Sequence, residues 1–239
     1  MDQEINKFFE LIIGYNGKTW DVNHAKKYEN VESYFFHDMQ KMIEGQVGYP
    51  SILYLMNFMA FLGYCLNYDQ NWEVPKDGKE KKIMFENIGK QEDYVYFCQK
   101  YLQPINNKYA KLDKYLYDLV RHRLSHVFFT HNFITTYETD DHLKKFLTDD
   151  GHPYLCISVP IFFEDTKRSI ESAYKQLDID QNLSEQFKQK QIFILEWVWQ
   201  LQEILKNMDL DNDNKRTALC HSSKEKQIKT TGTQPPGLN

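Results

Sequence analysis

The chain has 239 residues, 41% of them hydrophobic and 15% aromatic, with a formal net charge of −5. That length and apolar content bury a sizeable core in one domain, with room for a small extension. The acidic balance excludes a protein that coats nucleic acid over its whole surface, so contact with a polyanion has to come from a local patch.

In chain order, residues 1–14 carry Ile5, Phe8, Phe9, Ile12 and Ile13 at helical spacing, and residues 15–30 are polar and turn-rich. Residues 1–30 therefore read as an N-terminal helix and connector. The start, Met1-Asp2-Gln3-Glu4, lacks the basic opening of a signal peptide. Val31 to Glu44 repeats apolar residues at helical steps and stops near Gly45 and Gly48. Pro50 suits the first turn of the next helix, where a missing N–H costs nothing. That helix runs through "SILYLMNFMAFLGYCLN". Its apolar run, Ile52 to Leu66, falls short of the roughly 18–20 residues of a membrane span and reads as a buried helix.

Asp69 to Gln91 contains Pro75, Gly78 and a charge run, which predicts a long surface loop. Tyr94 to Leu102 resumes a helix that breaks at Pro104. Asn106 to Val120 is amphipathic, with Tyr109, Leu112, Leu116, Leu119 and Val120 at steps of three and four. The period then changes. "FITTYE" and "YLCISVPIFF" are β-branched and aromatic and predict a small two-stranded appendage. Phe163 to Leu177 returns to helix. Asn182 or Ser184 is the expected cap of a final long helix with apolar residues at Phe187, Ile194, Val198, Leu201, Leu205 and Met208. Residues 210–239 lose periodicity and read as a disordered tail. The fold class is thus mainly α.

Cys65, Cys98, Cys156 and Cys220 are widely spaced and form no CxxC pair, and three of them read as small buried hydrophobes. A reducing, cytoplasmic compartment is expected, with no membrane contact.

The densest chemistry is Arg121-His122-Arg123-Leu124-Ser125-His126. Two of the four arginines stand there, and three of the eight histidines lie between 122 and 131. Arginine offers a fixed charge and a planar fork that suit phosphate. Histidine takes and returns a proton near neutral pH. Metal-free cleavage of a phosphodiester needs both. Lys108, Lys111, Lys114 and Arg123 add a candidate nucleic-acid-binding patch. With Arg121, and set against Asp113 and Asp118, the stretch carries a local charge of +3.

The segment "YLYDLVRHRLSHVFFTH" resembles the signature region of the HEPN superfamily, in which Arg, a polar residue and a His four to six residues after the Arg stand near a helix terminus. Arg121, His122 and His126 fit that pattern. "EGQVGYPSILYLMNFMAFLGYCLN" resembles the second helix of a bacterial HEPN-like group. The likeness covers roughly residues 31–178. One departure is His122, where active members most often carry Asn. The resemblance implies an antiparallel HEPN-like helical bundle over 31–209 and a metal-independent endoribonuclease with no cofactor. It also implies RNA as substrate, a homodimer with the cleft at its seam, and a role in phage defence or toxin–antitoxin control with an antitoxin or other partner protein. His126 would act as general base or acid, Arg121 would hold the phosphate, and His122 would orient the site or share the proton work.

The residues leave other readings open. Arg121 and His126 can serve as a structural pair between helices. Asp118, His122 and His126 stand at i, i+4 and i+8, one stripe of a helix, and would hold a metal with a further ligand such as His37 or His152. No phosphate loop, GxSxG elbow or spaced Cys/His pair appears, which suits a non-catalytic helical binding or adaptor module. His131, His142 and His152 read as loop or strand-edge residues, and Arg123 as a surface charge rather than a catalytic group. Truncation after Leu210 should leave the melting temperature nearly unchanged in a thermal unfolding scan, because the tail buries too little surface to offset the entropy of ordering it.

Overall fold

The computed structural model describes residues 34–76, 78–122, 133–138 and 140–206. The expected helix over 1–14, residues Arg123, His126 and His131, and the expected tail over 210–239 lie outside the described residues. The chain divides into two compact units, Met1–Leu195 and Glu196–Asn239.

The first unit is mainly helical with a small sheet. Helix α1 (Tyr34–Glu44) turns back at Gln46, whose φ of 51° is left-handed, into α2 (Gly48–Leu66). Helix α2 starts earlier than its apolar run and carries Pro50 in its first turn. The stretch expected as a surface loop contains a third helix, α3 (Gly78–Glu86). Its lysines and glutamates are good helix formers whose charge hides the apolar periodicity. Glu80 Oε2 accepts the Lys76 N–H at 3.1 Å ahead of the first turn, and Lys82 and Glu86 pair at 3.9 Å along it.

Helix α4 (Gln91–Phe97) widens into a π-helical turn over Cys98–Leu102. Helix α5 (Lys108–Leu116) widens likewise over Tyr117–His122. Three strands follow, β1 (Phe133–Thr136), β2 (Lys144–Leu147) and β3 (Pro153–Ser158), in the order β1-β3-β2. Strand β1 runs parallel to β3, with Phe133 opposite Leu155, and β2 runs antiparallel, with Lys144 opposite Cys156. The expected two-stranded appendage therefore gains a strand. "KKFL" is too short and too exposed to leave an alternating signature. The β2–β3 turn closes with the Gly151 N–H on the Thr148 carbonyl at 2.8 Å, and Gly151 takes a φ of 77° that favours glycine.

The expected second strand stops at Ser158, because Pro160 opens helix α6 (Val159–Ile179). Helix α7 (Gln181–Lys206) is capped by Asp180, whose Oδ1 accepts the Leu183 N–H at 3.0 Å, in place of the expected Asn182 or Ser184. Of the second unit, the described part is the end of α7, residues 196–206.

Helix α2 lies at the centre of the first unit, against α1, α4, α6, β1 and the Tyr117–His122 turn. Ile52, Leu55, Met56, Met59, Leu62 and Leu66 are all sealed from solvent. At 19 residues α2 is long and apolar enough to cross a membrane, the one such helix among the described residues, and ten of its residues are buried in the fold.

A helix end buried this deeply has to find partners for its last carbonyls. Lys190 of α7 donates to the carbonyls of Tyr64 and Asn67 at 3.0 and 2.6 Å, and Tyr96 of α4 donates to that of Leu66 at 3.1 Å. The Lys190 ammonium also lies 5.0 Å from the Tyr64 ring centre and 5.8 Å from that of Trp72. A cation at this end complements the helix dipole. Gln186 fastens the next loop by exchanging two hydrogen bonds with the backbone of Asp69.

Helices α2 and α4 meet at Gly63, where an added Cβ would run into the backbone carbonyl of Asp93. Alanine is favoured over glycine in a helix by about 1 kcal/mol. Overpacking against main chain typically costs about 1–3 kcal/mol. Gly63→Ala should therefore destabilise the fold in chemical denaturation, whereas the solvent-facing Gly78→Ala should be neutral or stabilising.

Candidate nucleic-acid interface

The motif-bearing stretch begins on α5. Its nine residues, "KYAKLDKYL", split into two faces. Tyr109, Asp113 and Leu116 are buried, while Lys108, Lys111, Lys114 and Tyr115 are exposed. Asp113, counted from sequence as a charge opposing the patch, is turned inward. It is 6% exposed, and its Oδ2 accepts from Gln99 Nε2 at 2.8 Å. Lys108 bends aside to donate to the Leu143 carbonyl at 3.3 Å. Lys111 and Lys114 face outward.

The π turn Tyr117–His122 packs on α2 and α4 through buried Leu119 and the Tyr117 ring, 5.8 Å from that of Tyr94. Such turns are rare and concentrate at functional sites. This one carries the backbone of Arg121 and His122. Asp118, the first member of the candidate metal stripe, is exposed and accepts from Gln91 Nε2 at 3.1 Å. Among the described residues no group of three His, Cys, Asp or Glu side chains is placed to hold a metal ion. His126 and Arg123 lie outside the described residues.

On the opposite face, α5 is anchored by a buried polar chain that sequence reasoning missed. The Ser158 N–H donates to His142 Nδ1 at 3.2 Å, so that nitrogen carries the lone pair. The proton therefore sits on Nε2, which donates to Tyr109 Oη at 2.8 Å. Tyr109 in turn donates to Asp165 Oδ2 at 2.9 Å. Phe162 covers the group, its ring centre 5.9 Å from Tyr109 and 6.2 Å from His142. His142 lies on the turn before β2, as its reading as a loop or strand-edge residue has it, but it is 8% exposed and faces the core. Beside it Leu143 holds a φ of 52°, strained for a bulky side chain. That conformation is fixed from both sides, since the Leu143 N–H donates to the Cys156 carbonyl at 2.9 Å while its own carbonyl takes Lys108.

Burial, reinforced by the Lys108 charge, pulls the His142 ring down to about 4. An amide N–H aimed at Nδ1 also favours the neutral ring. Burial raises the Asp165 carboxyl, partly offset by Tyr109 and by Arg168, whose exposed guanidinium lies 3.8 Å away. The signal that could have exposed this chain was a carboxylate on an apolar helix face: Asp165 stands three residues after buried Phe162.

No family model matches the chain, and comparison with curated proteins and with solved structures finds no similar protein.

Because the folded state disfavours charged His142, the unfolded chain binds more protons between about pH 4 and 6.5. Stability should therefore be full above pH 6.5 and fall as acid is added, by up to roughly 3 kcal/mol at about 1.4 kcal/mol per pKa unit. Asp165 acts in the opposite sense, since its favoured protonated form gains as the pH drops. Chemical denaturation of wild type and His142→Gln across pH 4–7 isolates the histidine: the wild type should lose stability relative to the variant on acidification. Parallel curves would show that His142 charges freely in the fold.

Proposed function

We infer that the chain is a metal-independent endoribonuclease of the HEPN type. The observation that carries the reading is the coincidence of the Arg121-x4-His126 spacing with the π-helical turn that bears Arg121 and His122. On an ideal α-helix, positions five apart diverge by about 140°. A two-fold pairing of chains removes that divergence by combining groups from two copies. The mainly helical architecture suits the bundle that the resemblance implies, and the outward Lys111 and Lys114 suit a phosphate backbone.

In this reading the RNA 2′-oxygen attacks the adjacent phosphorus while a base takes its proton. The P–O5′ bond breaks and the leaving oxygen is protonated, giving a 2′,3′-cyclic phosphate and a 5′-hydroxyl. His126 moves one of those protons, and His122 orients the site or shares the proton work. Arg121 holds the phosphate and stabilises the charge that grows on its oxygens.

Purified protein should cleave end-labelled single-stranded RNA equally well with and without a chelator. His126→Ala should lower the rate by about 10²–10⁴-fold, and Arg121→Ala should lower it severely without changing the melting temperature. Mixing the two inactive variants should restore part of the activity if one site takes groups from two chains. Full activity in His126→Ala would overturn the assignment, and loss on chelation that zinc restores would favour a metal on Asp118, His122 and His126.

A further inference from the structure

The outward face of α5 carries an aromatic ring among its lysines. At 100° per residue, Tyr115 lies one turn after Lys111 on the same side, with Lys108 and Lys114 within about 60° of Lys111. Tyr115 is 43% exposed. Its neighbours in sequence behave otherwise: Tyr109 is fully buried, and Tyr117 packs on Tyr94. Among the described residues no hydrogen bond or ring contact engages Tyr115, and no carboxylate pairs with Lys111 or Lys114. The one acid of the helix, Asp113, is buried on the other side with Gln99. The next acid along, Asp118, is held by Gln91. The face is thus a positive strip that ends in a bare ring, six residues ahead of Arg121.

Resting on the nucleic-acid reading above, we propose that Tyr115 is a stacking platform for one base of single-stranded RNA. Lys111 and Lys114 hold phosphates beside it. Charge and shape favour this occupant over a protein. An apolar docking surface needs contiguous apolar area, and the ring here is bounded by ammonium groups. Every base presents a π face, so one ring with flanking cations binds a strand without reading its sequence.

The test uses the full chain and a fluorescent 2′-O-methyl oligouridine, which has no 2′-hydroxyl to react, with anisotropy read over a range of salt. Tyr115→Ala should weaken binding roughly tenfold with the salt slope unchanged, and Tyr115→Phe should keep wild-type affinity. Lys111→Ala and Lys114→Ala should each reduce the slope of log K against log salt by about 0.7. All three positions of change are on the exposed face, and an unchanged melting temperature checks that each variant folds. Wild-type protein that does not bind, or a Tyr115→Ala protein that binds as well as wild type, overturns the proposal; a strip bound instead by an acidic protein gives that second result. Tyr115-dependent binding without any RNA cleavage overturns the ribonuclease reading alone. Cleavage with Tyr115-independent binding overturns the platform alone.

Discussion

Everything in the first unit is arranged to bury one helix on most of its sides. The residues of α2 are too apolar to face water over more than a stripe. Each large aliphatic side chain removed from solvent contributes about 1.5–3 kcal/mol. Covering it takes α1, α4, α6 and a strand, together with the π turn that leads into the motif. The same burial creates a difficulty at the helix end, where carbonyls lose water. Lys190 and Tyr96 reach from two other helices to satisfy them. Burying an ammonium is costly, and desolvation lowers the Lys190 pKa. The cost is offset by two carbonyl acceptors, two aromatic faces and the helix dipole.

The second constraint is the direction of the hydrogen bonds through Tyr109. A backbone amide at Ser158 sets the His142 tautomer. The tautomer sets the donor to Tyr109, and Tyr109 sets the donor to Asp165. One phenol oxygen thereby ties α5, the turn before β2 and α6 together. Ser158 closes the strand that pairs with β1, so the chain is held on both sides of the segment 123–132: before it by α5 and its π turn, and after it by β1. A buried chain of this kind is stabilising only while every member is satisfied. Neutral His142 is the condition for that.

The two faces of α5 divide the labour. Inward, Tyr109 and Asp113 spend their polarity on buried partners. Outward, the helix is left with lysines and one tyrosine. A chain of net charge −5 gains no general attraction to a polyanion. Turning Asp113 into the core removes the one negative group of α5 from the strip.

The sequence by itself determined the mainly helical class, the buried helix at 51–67, the helix break at Pro104 and the β character of 133–136 and 154–158. These follow from local periodicity and from residues that act within a turn of themselves. It also drew attention to Arg121, His122 and His126, through chemistry that residue type alone carries. It did not yield α3, whose charged residues mask a short apolar stripe, nor β2, which becomes a strand by pairing with β3. It placed the start of α6 too late, because Pro160 among β-branched residues reads equally as a strand end or a helix start. The contact of Tyr109 with His142 and Asp165 spans separations of 33 and 56 residues, and that of Lys190 with Tyr64 spans 126. Only the tertiary structure decided these. A polar side chain on an apolar face announces that it needs a partner, but which one it meets depends on how the helices cross, and that is set by packing far from either residue.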